Sequence, residues 1–66
     1  MTNDTQKISE LLSYADTQLG TALQMTYNVL EGNAPLSDCE IIADYYAQAE
    51  KDTNRALFML FNAQRN

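Results

Sequence analysis

Apolar residues recur every three or four positions through the first half of the chain. The steps alternate between four and three residues, as one face of an amphipathic helix requires. The series consists of Ile8, Leu12, Ala15, Leu19, Ala22, Thr26 and Val29. Its single polar member, Thr26, fits a helix because a threonine hydroxyl can bond the carbonyl one turn earlier. The pattern predicts a first helix over about residues 5–31.

The second half of the chain repeats this spacing, displaced by 34 residues. The matching series consists of Ile42, Tyr46, Ala49, Thr53, Ala56, Leu60 and Ala63. It predicts a second helix over about residues 38–64, of nearly the same length as the first. The residues outside the two series do not match each other, so the repeat indicates equal helices rather than a sequence duplication.

Between the two series, residues 32–37 carry the signals of a turn. Gly32 suits the left-handed position that follows a helix, and Pro35 cannot continue one. Ser37 and Glu40 have the spacing of a capping box at the start of the next helix. Helices joined by so short a turn pack antiparallel. We therefore predict one all-α domain over residues 1–66, an antiparallel two-helix hairpin.

The predicted seam between the helices has small residues in its middle and larger ones at its ends. Alanines every seventh position allow the helix axes to approach closely. The expected contacts are Ala22 with Ala49, Ala15 with Ala56, Ile8 and Leu12 with Leu60, and Val29 with Ile42 and Tyr46. Gly20 lies off the series, where it lowers helix propensity and is a candidate for close approach of another group.

Further apolar residues lie outside this seam, and a hairpin has no third layer to cover them. They flank the seam on both sides, and Phe58 and Phe61 point away from it. We expect dimerisation into a four-helix bundle; the alternative is a surface kept for a different protein. The candidate residues for a dimer or partner interface are Tyr45, Tyr46, Leu57, Phe58, Phe61 and Arg65.

Composition narrows the function classes. The 66 residues include one cysteine and no histidine, and their formal net charge is −5. An intrachain disulfide is excluded, and a zinc site lacks its usual ligands, so we expect no metal, no cofactor and no enzymatic activity. The acidic balance argues against direct nucleic acid binding, and no apolar run approaches membrane-spanning length. A free cysteine without a recognisable export signal favours the cytoplasm.

Two basic residues suggest an alternative function. Lys51 and Arg55 lie one helical turn apart and could together neutralise a phosphate group. The tyrosines could stack against a ring at a subunit interface. This alternative is a binder of a small anionic ligand such as a nucleotide.

A second alternative comes from a short resemblance. Val29-Leu30-Glu31, the stretch 36–40, Tyr46 and Ala49-Glu50 resemble the middle of the Hha/YmoA family of small nucleoid-protein modulators. The match covers about a third of the chain and requires a gap near the turn. The chain lacks that family's basic N-terminal segment and aromatic C-terminal tail. The resemblance implies a modulator that acts through a nucleoid protein, and we assign no residue roles from it.

The main hypothesis is a small, acidic, non-enzymatic protein–protein interaction module. Such a hairpin suits a regulator, adaptor or inhibitor of a larger protein, a kind of protein that phage and mobile-element genomes often encode. We expect a homodimer or higher homo-oligomer with one further protein partner.

Overall fold

The structure is a computed structural model that describes residues 3–65, with side chains for residues 4–63. Helix α1 spans Asn3–Leu30 and helix α2 spans Asp38–Arg65. The two helices pack against each other along their length, which confirms the predicted all-α hairpin. Helix α1 begins two residues earlier and ends one residue earlier than predicted. Helix α2 begins where it was predicted and extends one residue further.

Helix α1 ends in a Schellman motif centred on Gly32. The Gly32 amide donates to the Val29 carbonyl at 3.1 Å, and the Asn33 amide donates to the Asn28 carbonyl at 2.8 Å. Gly32 has a φ of 80°, a conformation that costs glycine little and other residues much more. The predicted role of Gly32 is confirmed, and two carbonyls at the helix end are satisfied.

Helix α2 begins with three successive hydrogen bonds, each from a backbone amide to the carbonyl three residues earlier. The amides of Asp38 and Cys39 donate to the carbonyls of Pro35 and Leu36, both at 3.0 Å. The Glu40 amide, which the predicted Ser37 hydroxyl cap would use, donates instead to the Ser37 carbonyl at 3.4 Å. A tight backbone turn therefore takes the place of the capping box at this helix start.

The seam between the helices is built around alanines. Among the described residues, the buried apolar side chains include Ala15, Ala22, Ala49 and Ala56, and Ala22 has no exposed surface. The larger members of this buried set are Ile8, Leu11 and Ile42. None of the described fully buried side chains is large. The hairpin thus gains close helix packing but buries little apolar volume of its own.

Two of the predicted seam contacts are wrong. Ile8 packs with Leu11 and Ala56, and Met59 closes this cluster. Leu12 and Leu60, predicted to join Ile8 in the seam, are exposed. Tyr46, predicted to meet Val29 and Ile42, is exposed as well. The first residue of each adjacent pair, Leu11 rather than Leu12 and Met59 rather than Leu60, turns toward the other helix.

The packed hairpin is long and thin. Its extents are 50 × 16 × 12 Å and its radius of gyration is 15.1 Å, whereas a compact chain of this length has a radius of gyration of about 11 Å. Its accessible surface is 5207 Å², against about 4,200 Å² for a compact monomer of this size. The surplus of about 1,000 Å² reflects this elongated shape.

Candidate functional site

Each helix is rotated about its own axis so that the two sides of the hairpin expose different kinds of side chain. Residues seven apart lie on one side of a packed helix. On α1 the residues following the seam positions Leu11 and Gln18 are Leu12 and Leu19, and both are exposed. We call this side the open face. It comprises Leu12, Leu19, Leu23, Thr26, Leu30, Leu36, Cys39, Tyr46, Thr53, Leu57 and Leu60.

A central groove on the open face joins the two helices. Leu19 on α1 lies across from Tyr46 and Thr53 on α2, and Ala49 lies beneath them. The groove has a volume of about 480 Å³, and Glu50 stands on its edge. Because its other lining side chains are uncharged, the groove is suited to another apolar side chain rather than to a charged ligand.

A second groove on the same face lies at the turn. Val29 and Ile42 line it together with Thr26 and Cys39, and its volume is also about 480 Å³. Leu30 and Leu36 border it and are 78% and 80% exposed. The described residues that line it are all uncharged. The turn end is therefore the most apolar part of the open face.

Thr26 fits into these apolar surroundings because its hydroxyl is already used. The Thr26 Oγ1 donates to the Ala22 carbonyl at 2.7 Å, which confirms the interpretation of its place in the apolar series. The same bond recurs on the outside of α1, from Thr21 to Thr17 and from Thr17 to Ser13. A threonine satisfied within its own helix presents mainly its methyl group to a partner.

The opposite side of the hairpin, which we call the polar face, is chemically different. Gln18 lies there in a shallow groove with Asp44, Tyr45 and Gln48. The Gln48 Nε2 donates to the Asp52 Oδ1 at 3.3 Å. The Gln18 Oε1 is buried and has no hydrogen-bond partner. Amide and carboxylate groups dominate this face, whereas leucines dominate the other.

The structure divides the predicted interface residues between several surfaces. Tyr46 and Leu57 belong to the open face, whereas Tyr45 lines the groove of the polar face. Phe58 lies in a separate groove near the chain ends with Met59 and Asn62. The side chains of Phe58 and Phe61 are 67% and 63% exposed. The predicted residue Arg65 has its side chain outside the described part of the structure.

The predicted anion-binding pair lies away from the open face. Lys51 and Arg55 are both exposed on α2, and neither lines the central groove or the turn-end groove. The two residues are one helical turn apart, as the sequence requires. Tyr46 lines the central groove, to which neither Lys51 nor Arg55 contributes.

Two other kinds of site are absent from the described residues. Within residues 3–65, no group of three or more His, Cys, Asp or Glu side chains is arranged to hold a metal ion. Neither α1 nor α2, over its described length, combines the length and the apolar character that a bilayer-crossing helix needs.

Sequence reasoning did not single out the turn-end groove. The sequence pattern places Leu36 in the turn and Thr26 in the seam, and it does not by itself connect them. The signal was nevertheless present, because Leu30, Leu36 and Ile42 surround the break between the helices. Folding the helices back on each other brings these apolar residues to one end of the hairpin.

Comparison with known proteins gives no family assignment. The chain matches no protein-family model, no curated protein and no solved structure. The short resemblance to the Hha/YmoA family is therefore without support from a family match.

Proposed function

We propose that the protein is a non-enzymatic protein–protein interaction module that works as a homodimer. Two hairpins pair through their open faces into a four-helix bundle, and the dimer regulates, adapts or inhibits a larger protein. The observation that carries this proposal is the open face itself, a leucine-rich strip that runs from Leu12 and Leu60 to Leu36, with Asp16 and Glu50 at its edges.

The size of the uncovered surface matches that of a dimer interface. The surplus of about 1,000 Å² over a compact monomer compares with about 800 Å² per partner in a standard stable interface. Large contiguous apolar patches are rare on soluble monomers and mark interaction sites. Burying the strip would also add the large apolar side chains that the alanine seam lacks.

The distribution of charge supports face-to-face pairing. The open-face positions nearest the seam are occupied by Leu12, Leu19 and Thr26 on α1 and by Cys39, Tyr46, Thr53 and Leu60 on α2. None of these is charged, although the whole chain has nine acidic residues. Asp16 and Glu50 lie on the outer edges of this strip, where they can remain in water. A dimer can therefore form without burying an unpaired carboxylate, which would be costly.

The larger protein partner is assigned to a different surface. Phe58 lies in a groove that shares no residue with the open face, and Phe61 is 63% exposed, so the proposed dimer leaves both available when that face is covered. Aromatic side chains often dominate the binding energy of protein interfaces. The dimer would present this pair twice, once from each copy, for contact with the regulated protein.

Sedimentation equilibrium over a range of protein concentrations tests the dimer. We expect the native chain to be dimeric at micromolar concentration. Leu19→Asp places a charge in the centre of the open face and should yield a monomer. The matched control is Gln24→Asp on the exposed outer surface of α1, which should remain dimeric. A native monomer, or an unaltered dimer with Leu19→Asp, would refute the assigned face.

The partner surface is tested separately with Phe58→Asp combined with Phe61→Asp. This variant should remain a dimer but no longer retain the protein that the native dimer captures from its host. Normal capture by the double variant would show that the aromatic pair is not the contact surface.

A further inference from the structure

We infer that the occupant of the open face is a second copy of this chain set turn to turn, so that both turns lie at the same end of the bundle. The inference rests on the proposed face-to-face dimer and specifies its orientation. The alternative orientation, with the turn of one copy beside the chain ends of the other, is equally compatible with antiparallel neighbouring helices.

Apolar residues are distributed unevenly along the open face. At the turn end, Leu30 and Leu36 are largely exposed beside the turn-end groove. At the opposite end, the equivalent positions of α1 are Thr5 and Ser9. A reversed partner would set the exposed leucines against this polar end. A turn-to-turn partner sets them against the turn end of the other copy, whose groove has only uncharged lining residues, and this contact removes more apolar surface from water.

The positions of side chains along the face also pair differently in the two orientations. Leu19 lies level with Thr53 in the central groove, and Thr26 lies level with the start of α2 in the turn-end groove. A two-fold axis along the hairpin places α1 of one copy over α2 of the other at the same level. Leu12 then meets Leu60. A reversed copy centred on Leu19 would instead place Leu12 against Thr26, and Leu60 against Tyr46.

In the turn-to-turn dimer, the second copy covers the turn-end groove of the first. In the turn-to-turn orientation, Leu36 of each copy lies beside the groove of the other, which Val29 and Ile42 line. Each groove is therefore incomplete until the second copy arrives. In the reversed orientation each groove instead meets the chain-end half of the other copy's α1, where Thr5 and Ser9 offer less apolar surface than Leu36 does.

Cys39 provides a direct measure of the orientation because it borders the turn-end groove and is exposed. Turn to turn, the two Cys39 side chains lie at one end of the bundle, across its axis. In a reversed dimer centred on Thr53, fourteen residues separate Cys39 from the centre. At 1.5 Å per residue the two cysteines would then be about 42 Å apart.

The test is cross-linking of the native dimer with a short bis-maleimide, followed by denaturing electrophoresis. We expect most of the native chain to become a covalent dimer. Cys39→Ser should give no product. Thr53→Cys in the Cys39→Ser background places a thiol at the centre of the face, where either orientation brings the two copies close together. This variant reports whether the faces meet at all.

The outcomes separate the orientation from the proposed function. Efficient cross-linking of the native chain supports the turn-to-turn dimer. Cross-linking of the Thr53→Cys variant without cross-linking of the native chain would overturn the orientation and leave the proposed dimer intact. A dimer in sedimentation that cross-links at neither position would show that the open face is not the interface. A monomer in sedimentation would remove the basis for both proposals.

Discussion

Leu11 and Leu12 are neighbours in the sequence but serve different surfaces of the protein. Leu11 is 8% exposed and packs with Ile8 and Ala56 in the seam, whereas Leu12 is 46% exposed on the open face. Each helix therefore carries two rows of apolar residues, one buried in the seam and one exposed on the open face. This arrangement separates folding of the hairpin from covering of the open face.

The two leucines predict two different alanine phenotypes. Leu11→Ala removes a buried side chain and should destabilise the hairpin by about 2–3 kcal/mol, which lowers the melting temperature at every protein concentration. Leu12→Ala should lower it mainly at high concentration, where the dimer is populated. Thermal unfolding followed by circular dichroism, at protein concentrations a hundredfold apart, distinguishes them. Equal losses at the low concentration would contradict the assignment of Leu11 to the seam.

The alanine seam should not tolerate larger side chains. Ala22→Leu or Ala49→Leu would force the closely packed helices apart, at a cost of about 1–3 kcal/mol. Gln24→Leu is the control, since Gln24 is exposed only two residues after Ala22. Urea unfolding should show a lower midpoint for both seam variants and a nearly unchanged midpoint for the control. Stability equal to that of the native protein in the seam variants would argue against close packing at these alanines.

Gln18 predicts a stabilising substitution. Its Oε1 is buried without a hydrogen-bond partner, and an unsatisfied buried polar group costs about 1–3 kcal/mol. Gln18→Leu should therefore raise the free energy of unfolding by about 1 kcal/mol or more. Gln24→Leu, on the exposed side of the same helix, should have little effect. Destabilisation by Gln18→Leu would show that the amide has a structural role that this geometry does not reveal.

The two glycines should respond to alanine with opposite signs. Gly20 is helical and has no atom within 4 Å of an added Cβ, so the expected close approach at this position is absent. Gly20→Ala should stabilise α1 by about 1 kcal/mol through helix propensity. Gly32→Ala forces alanine into a left-handed conformation and should destabilise the protein by about 1 kcal/mol. Parallel urea titrations of both variants provide the comparison, and shifts of the same sign would contradict it.

Much of the fold could be predicted from the sequence because its signals are local. Gly32 and Pro35 place the turn within a few residues, and the spacing of Ala15 and Ala22 places the buried stripe. What periodicity could not decide was the rotation of each helix. Leu11 with Gln18 and Leu12 with Leu19 both continue the stripe at helical spacing. Packing between the helices chooses one of the two rows, and that choice depends on contacts across the turn.

The same ambiguity limited the prediction of the candidate site. The sequence pattern places Leu57 and Phe58 in one candidate interface, but adjacent residues of a helix point about 100° apart. The structure places Leu57 on the open face and Phe58 in a groove near the chain ends. Surplus apolar surface could thus be recognised from composition. Dividing that apolar surface into the open face and the groove around Phe58 requires knowing how α2 is rotated about its own axis.

The alanine seam has a consequence for the life of the protein in a cell. A hairpin that completely buries no large side chain among its described residues has little with which to resist unfolding, and chains of this length are marginal on their own. If the protein forms the proposed dimer, its stability rises with its concentration through mass action. Newly made copies at low abundance would then be open to proteases, whereas abundant copies would protect one another. The amount of this protein should therefore respond to its rate of synthesis with a threshold rather than in simple proportion.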